Sequence, residues 1–278
     1  MHVIPASTIQ IIAGAVLAAV AAFLAWRLRW LKGSGAWAAF GLGFIVFGLG
    51  GISWAVVLLA FFITSSLLSV LFHGLKRSAE AGYEKGSRRD AGQVQANGLV
   101  AGLFVVAHVF FPDSWLPWTG FAAALAAANA DTWATELGVL SKRQPVLISS
   151  GKTVPAGTSG AVSLAGTLAA AAGALVIGAA AWFIWPPDSI PSTLWWILLI
   201  TFCGLLGSFL DSWLGARFQA VYLCPTCQKE TERADRHSCG TETVFLRGQR
   251  WLDNDWVNLF CTSIAPIAAI LIKYLIKT

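Results

Sequence analysis

The chain is 278 residues long, 56% hydrophobic and only 12% charged, with a mean hydropathy of +0.68, whereas an average soluble domain is roughly 25% charged. One globular core cannot hide that much apolar surface, so lipid must solvate much of it, and a soluble fold, disorder, collagen and a secreted disulfide scaffold are all excluded. The net charge of +5 reads as a topology signal rather than a nucleic-acid footprint, because a membrane chain uses excess cations to fix its orientation.

Runs of about 20 apolar residues cross ~30 Å of hydrocarbon as helices. They predict an all-α polytopic bundle of about eight transmembrane helices, near 8–30, 34–51, 53–73, 94–111, 117–140, 160–184, 193–215 and 255–272. The first run has no basic segment ahead of it and exceeds a signal-peptide core, so it reads as a retained span. The second and third form one apolar run of about 40 residues, too long for one crossing, and are divided between Gly50 and Gly51. The whole chain, 1–278, is expected to be one integral-membrane domain.

The cations fall on alternate loops: Arg27, Arg29 and Lys32; Lys76, Arg77, Lys85, Arg88 and Arg89; Lys142, Arg143 and Lys152; then Arg217, Lys229, Arg233, Arg236, Arg247 and Arg250. The opposite loops, 111–114 and 185–189, carry none. This asymmetry predicts an outside N-terminus, cytoplasmic loops at about 74–93, 141–159 and 216–252, and residence in a bacterial plasma membrane, with Lys273 and Lys277 running against the trend. Trp26, Trp30, Trp115, Trp118, Trp182, Trp185, Trp195 and Trp196 lie at expected span ends and read as interfacial anchors. The Ala- and Gly-rich segments 121–130 and 161–181 read as close helix packing.

Ionisable groups inside spans are costly and mark function by default. Asp90, Gln93 and Asn97 recur at helical spacing behind Arg88 and Arg89. Asn129, Asp131 and Glu136 follow, with Asp131 and Thr135 on one helical face and Asp131 about 16 Å along the helix from Lys142. The loop holding Gly151, Lys152 and Thr153 is not a Walker A motif, since position 146 is Val146 where a Gly is needed and no βαβ unit surrounds it. Its Gly, Ser and Thr content still suits a polyphosphate cradle at a helix N-terminus. Further on, Gly204, Gly207, Ser208, Asp211 and Gly215 stack on one small polar face. Cys224, Cys227, His237 and Cys239 supply four tetrahedral ligands for structural Zn²⁺ on a small cytoplasmic Cys/His loop, free or redox-active thiols being the alternative. Cys203 and Cys261 read as small hydrophobes. Asp255 and Asn258 lie one turn apart at the mouth of the last span, where helix capping is the simpler reading. Acids with amides suit Mg²⁺, and the flanking cations suit phosphate oxygens.

Segments 88–98, 130–138, 153–160, 207–216 and 254–258, in this order and spacing, resemble the integral-membrane family that contains plant phytyl-phosphate kinase and vertebrate transmembrane protein nineteen. The resemblance spans nearly the whole chain. It implies a Mg-dependent phosphotransferase that moves a phosphoryl group from a nucleoside triphosphate, CTP or ATP, to a long-chain isoprenyl monophosphate of phytyl or geranylgeranyl type, giving the diphosphate. On that reading Asp131, Glu136, Asp211 and Asp255 hold one or two Mg²⁺, with Asp90 beside them. Arg88, Arg89, Lys152 and Thr153 hold phosphates, and Gln93, Asn97, Asn129, Gln219 and Asn258 orient. The expected partners are the lipid phosphate, the nucleotide and membrane lipids, with no nucleic acid and with a homo-oligomer left open. The competing reading is a polyprenyl-phosphate flippase or cation-coupled transporter. An intramembrane aspartyl protease fits poorly beside so many amides and cations, and a scaffold leaves the carboxylates unexplained.

Overall fold

The computed structural model describes residues 7–72, 88–141, 143–184 and 194–276. Hydrocarbon offers no water to backbone N–H and C=O groups, so each spanning segment satisfies its own as a helix. Eight helices are present among the described residues: α1 (Thr8–Arg27), α2 (Gly33–Ile45), α3 (Ile52–Leu71), α4 (Ala91–Phe110), α5 (Trp115–Gly138), α6 (Leu164–Phe183), α7 (Leu194–Arg217) and α8 (Asn254–Ile276). Several starts are written in the sequence. Ser7, Ser114 and Ser163 cap α1, α5 and α6 through their hydroxyls, and Asp90 forms a reciprocal capping box with Gln93 that starts α4 at Ala91. The loop expected to reach 93 therefore ends earlier.

The second and third expected spans part where the glycine pair places them. Helix α2 widens into a π-turn over Val46–Gly50, and Gly51 then turns the chain with φ of 77°, a left-handed conformation that glycine adopts freely. Gln10 of α1 donates its Nε2 to the Gly48 carbonyl at 3.1 Å, adding a partner where the helical ladder is loosened.

Seven of the helices are long and apolar enough to cross a membrane, α2 counted with its π-turn. The exception is α5, whose polar C-terminal third lowers its hydropathy. It is also the hub, packing on α3, α4, α6, α7 and α8, and residues 117–130 are all buried. Small residues make this possible, since a Cβ built on Gly204 of α7 meets the Ala126 Cβ at 2.8 Å and the Ala174 Cβ at 2.9 Å. Three helices thus meet at one point where no side chain intervenes.

Two of the expected interfacial tryptophans are instead core residues. Trp196 is fully buried and donates its Nε1 to the Thr119 hydroxyl at 3.3 Å, and buried Trp118 stands edge-on to Trp54 with centroids 4.8 Å apart. An indole can leave the interface when its N–H finds a partner or its ring a complementary edge.

Outside the bundle lie β1 (Val146–Leu147) paired with β2 (Ala161–Val162), and an antiparallel sheet of order β4-β3-β5 made of β3 (Val221–Cys224), β4 (Lys229–Thr231) and β5 (Val244–Arg247). The region expected as a loop over 216–252 is thus a folded ribbon, entered after α7 has run on to Arg217. All the described Lys and Arg except Lys273 lie at one end of the bundle, with the C-termini of α1, α3, α5 and α7. Lys273 is buried at the other end, its ammonium 3.9 Å from the Trp115 ring centroid. The expected cations Lys76, Arg77, Lys85, Lys142 and Lys277, and the loop 185–189 with Trp185, lie outside the described residues.

The three-helix contact at Gly204 yields a direct test. Gly204→Val forces α5, α6 and α7 apart and is expected to cost about 1–3 kcal/mol, seen as a lower thermal midpoint of the detergent-solubilised protein; an unchanged midpoint would show that the bundle tolerates looser packing there.

Candidate functional site

The C-terminal ends of α3, α5 and α7 and the N-terminal ends of α4, α6 and α8 surround a cavity of about 380 Å³. Its wall takes Arg89, Gln93 and Asn97 from α4 and its lead-in, Asp131, Thr135 and Glu136 from α5, Ser208 and Asp211 from α7 with Gln219 beyond it, and Asn254 and Asn258 from α8. Each polar helical stretch contributes because the residues stand three or four apart on one face.

The carboxylates divide into two groups. Asp211 interacts electrostatically with Asp131 and with Glu232, a residue from just beyond β4, and the Cys261 thiol donates to its Oδ2 at 3.8 Å. Glu136 instead faces the cation. Its Oε1 accepts from the Ser69 hydroxyl at 2.7 Å, and its charge attracts Arg89. Arg89 is held on its other side by α3, donating to the Ser66 hydroxyl at 3.2 Å and lying 5.7 Å and 5.8 Å from the Phe61 and Phe62 ring centroids. Burial lowers its guanidinium to about 10, against the pull of Glu136, so it stays a cation at neutral pH. The cavity therefore has an acidic wall and a cationic wall.

A third wall is mostly backbone. Residues 156–163 line it, with Gly157 and Gly160 at φ of 87° and 80°. A Cβ on Gly160 would lie 2.5 Å from the Ala216 Cβ and backbone nitrogen, so only glycine lets this loop seat against the end of α7. The Ser163 cap, Gly166 and Thr167 bring the N-terminus of α6 to the cavity, where its dipole favours anions. Gln219 is 2% exposed. Its Oε1 accepts from the Ser159 hydroxyl at 3.1 Å, while its Nε2 has no partner among the described residues, a costly state for a buried donor unless a ligand meets it.

Six of the expected residues stand away from this wall. Asp90 caps α4 and pairs with Lys32 at 3.3 Å, and Arg88 donates to the Leu31 carbonyl at 3.0 Å, so both tie the α4 lead-in to the turn after α1. Asn129 is fully buried and clamps helices, donating to the Gly173 carbonyl at 2.8 Å and accepting from the Thr64 hydroxyl at 3.3 Å. Lys152 and Thr153 are exposed, with Thr153 bridged to Val146; the hairpin turns them outward and presents 156–163 in their place. Asp255 lies half-buried in the first turn of α8 off the cavity wall, and Asp253 caps that helix through the Trp256 amide at 3.1 Å.

Sequence reasoning missed Glu232, Arg143, Gln144, Ser69 and Asn254, all on the wall. Asn254 had a signal, since it and Asn258 are four apart and share a face. Glu232 had none, because its place depends on how the ribbon folds. The Cys224, Cys227 and Cys239 thiols and the His237 imidazole form a separate group, with ligand atoms all within 4.8 Å of one another.

Comparison with known proteins adds a lineage. The model of a family described as integral membrane protein DUF92 matches residues 16–266. Protein PGR of Arabidopsis thaliana is 31% identical, over 93% of this chain and 96% of its own length. A membrane protein of Methanocaldococcus jannaschii, MJ0933, is 31% identical over 76% of this chain and 84% of its own, and chloroplastic Protein VTE6 of Arabidopsis thaliana is 26% identical over 88% and 66%. No solved structure matches the chain. The family resemblance drawn from the five motifs is borne out by these matches.

The electrostatic coupling of Glu136 to Arg89 is open to a double-mutant cycle. Arg89→Gln and Glu136→Gln are each expected to destabilise, with a coupling of about 0.5–3 kcal/mol between them; strictly additive losses in thermal unfolding would separate the two groups.

Proposed function

This chain belongs to the integral membrane protein family DUF92, and from that premise we propose that it is a Mg²⁺-dependent kinase acting on an isoprenyl monophosphate. It transfers the terminal phosphoryl group of a nucleoside triphosphate to a phytyl- or geranylgeranyl-type monophosphate, giving the diphosphate. The observation that carries this reading is the meeting of two unlike spaces at Arg89, Gln93 and Asn97. The polar cavity lies on one side of these residues. On the other is an apolar cleft lined by Ala18 and Ala22 of α1, Leu42 of α2, Leu58, Phe61 and Phe62 of α3 and Gly98 of α4. A molecule with a phosphate head and a hydrocarbon tail suits both at once.

Phosphoryl transfer asks a protein mainly for positioning and charge neutralisation. An oxygen of the lipid monophosphate attacks the γ-phosphorus, the bond from that phosphorus to the β-bridging oxygen breaks, and the nucleoside diphosphate leaves with the electron pair. A phosphate monoester has its second pKa near ~6, so the nucleophile is already ionised and needs no protein base. Arg89 holds the lipid phosphate at the junction. The N-terminus of α6, the 156–163 backbone and the spare Gln219 Nε2 donor hold nucleotide phosphates.

Asp131, Asp211 and Glu232 are hard oxygen donors on one wall of the cavity, with Asp211 feeling both of the others, which suits Mg²⁺, an ion commonly held by one or two carboxylates together with substrate phosphates. When bound there it supplies charge neutralisation across the phosphoryl oxygens. The excess of cations at the cavity end supports placing that end in the cytoplasm, where the nucleotide is. A flippase is less well supported, because residues 117–130 of α5 are buried in the middle of the bundle and leave the cavity at one end.

The test is turnover by purified protein in detergent with geranyl, farnesyl, geranylgeranyl and phytyl monophosphates, each with ATP, CTP, GTP or UTP and Mg²⁺, read by mass spectrometry. Lipid diphosphate is expected, with rates down by about 100-fold or more in Asp131→Asn and Asp211→Asn, as for loss of a group that stabilises transition-state charge. Lys152→Ala, off the wall, is expected to stay within about threefold. If folded protein yields no diphosphate from any pair, the kinase reading fails and vesicle flipping assays decide the alternative.

A further inference from the structure

The cavity chemistry leaves the ribbon between α7 and α8 unexplained, though it carries the densest cluster of soft ligands among the described residues. Cys224 ends β3, Cys227 lies in the turn to β4, and His237 and Cys239 lie between β4 and β5. The Cys224 and Cys239 sulfurs are 3.5 Å apart, and the His237 Nδ1 is 3.2 Å from the Cys239 sulfur. Tetrahedral Zn–S bonds of about 2.3 Å place two sulfurs about 3.8 Å apart, so the group needs little movement to close on an ion. A Cys224–Cys239 disulfide would leave Cys227 and His237 without a reason to converge. Three thiols with one imidazole are a standard structural zinc set, whereas the common iron–sulfur clusters take four thiolates.

The backbone is shaped for the same purpose. The Cys227 amide points at the Cys224 sulfur at 3.5 Å, an outer contact that steadies a ligating thiolate. Each half of the group is followed by a left-handed residue, Gln228 at φ of 54° after Cys227 and Gly240 at φ of 88° after Cys239. A non-glycine residue accepts that conformation only where its surroundings impose it. We infer that Cys224, Cys227, His237 and Cys239 bind one structural Zn²⁺, and that this ion fixes the segment 228–236, which carries Glu232 into the cavity. The ion joins the two ends of that segment. The rest of the ribbon is already anchored on the bundle, with Arg247 Nη1 donating to the Ala216 carbonyl at 3.1 Å and the Ala220 amide to the Leu252 carbonyl at 2.9 Å. The stretch holding Glu232 is tied by the β3–β4 ladder and by the Thr243 hydroxyl, which donates to the Arg233 and Ala234 carbonyls at 2.9 Å and 2.8 Å, and the metal would add a clasp across its two ends. The zinc proposal stands whether or not the cavity is a kinase site.

The first measurement is metal content by plasma mass spectrometry of wild-type protein purified in detergent without added metal. About one Zn per chain is expected, falling below about one-fifth in Cys224→Ser and Cys239→Ser. Wild-type protein stripped by chelation and reloaded with Co²⁺ should gain thiolate-to-cobalt charge-transfer absorption, a readout that does not depend on any variant folding. For the positioning role, trypsin cleavage at Lys229, Arg233 and Arg236 should speed up about tenfold or more after zinc removal while the helical bundle stays intact by size-exclusion chromatography. Zinc-free protein with four-ligand variants indistinguishable from wild type, no cobalt band, or a Cys224–Cys239 disulfide in the mass spectrum would overturn the site. Bound zinc with no change in cleavage would overturn the link to Glu232.

Discussion

A carboxylate cannot face hydrocarbon, and the architecture follows from hiding one helix that carries two of them. Helix α5 carries Asp131 and Glu136 in its C-terminal third, and an ionised acid held away from water costs several kcal/mol unless it is sheltered and paired. Five other helices surround it, and the apolar ones among them take the contact with lipid in its place. Alanine and glycine line the approaches because a polar helix can be sheathed only if its neighbours come close, and Gly204 marks the point where α5, α6 and α7 touch. Burial of α5 at one end and an open cavity at the other are two results of the same requirement.

Inside the cavity the charges are sorted rather than mixed. Arg89 is wedged against two phenylalanines and answered by Glu136, while Asp131, Asp211 and Glu232 share the other side. Asp131 and Glu232 act on Asp211 as like charges, and the opposite side, with the α6 N-terminus, suits anions. This separation of charge is what the proposed metal-chelated phosphate ligand would match.

Most of the helical frame was legible in the sequence, because span length and hydropathy are set by the bilayer itself. The glycine break, the Asp90 box and the serine caps are local devices, and each acts where it is written. The cavity was harder to read. Periodicity reports which residues share a face but not which neighbour that face meets, so Asp131 and Glu136, five apart, ended in different electrostatic groups. Lys152 and Thr153 stood out as chemistry, yet the β1–β2 hairpin points them outward and presents plain backbone to the site. Asp255 drew attention for its charge while the amides beside it, Asn254 and Asn258, took the wall. Trp118 and Trp196 had the composition of interfacial anchors, and only tertiary packing decides that an indole goes inward. Glu232 depends on a ribbon fold that no span-level reading contains.

The confinement of the polar cavity to one end has an electrical corollary. The transmembrane potential falls across the hydrocarbon, and a unit charge that crosses all of it exchanges about 2.3 kcal/mol per 100 mV. With residues 117–130 of α5 buried among apolar helices, a charged ligand that reaches Asp131 and Arg89 comes and goes through the same mouth and traverses little of that field. On the proposed kinase reading, turnover is therefore expected to respond little to the membrane potential, whereas a cation-coupled carrier would respond strongly.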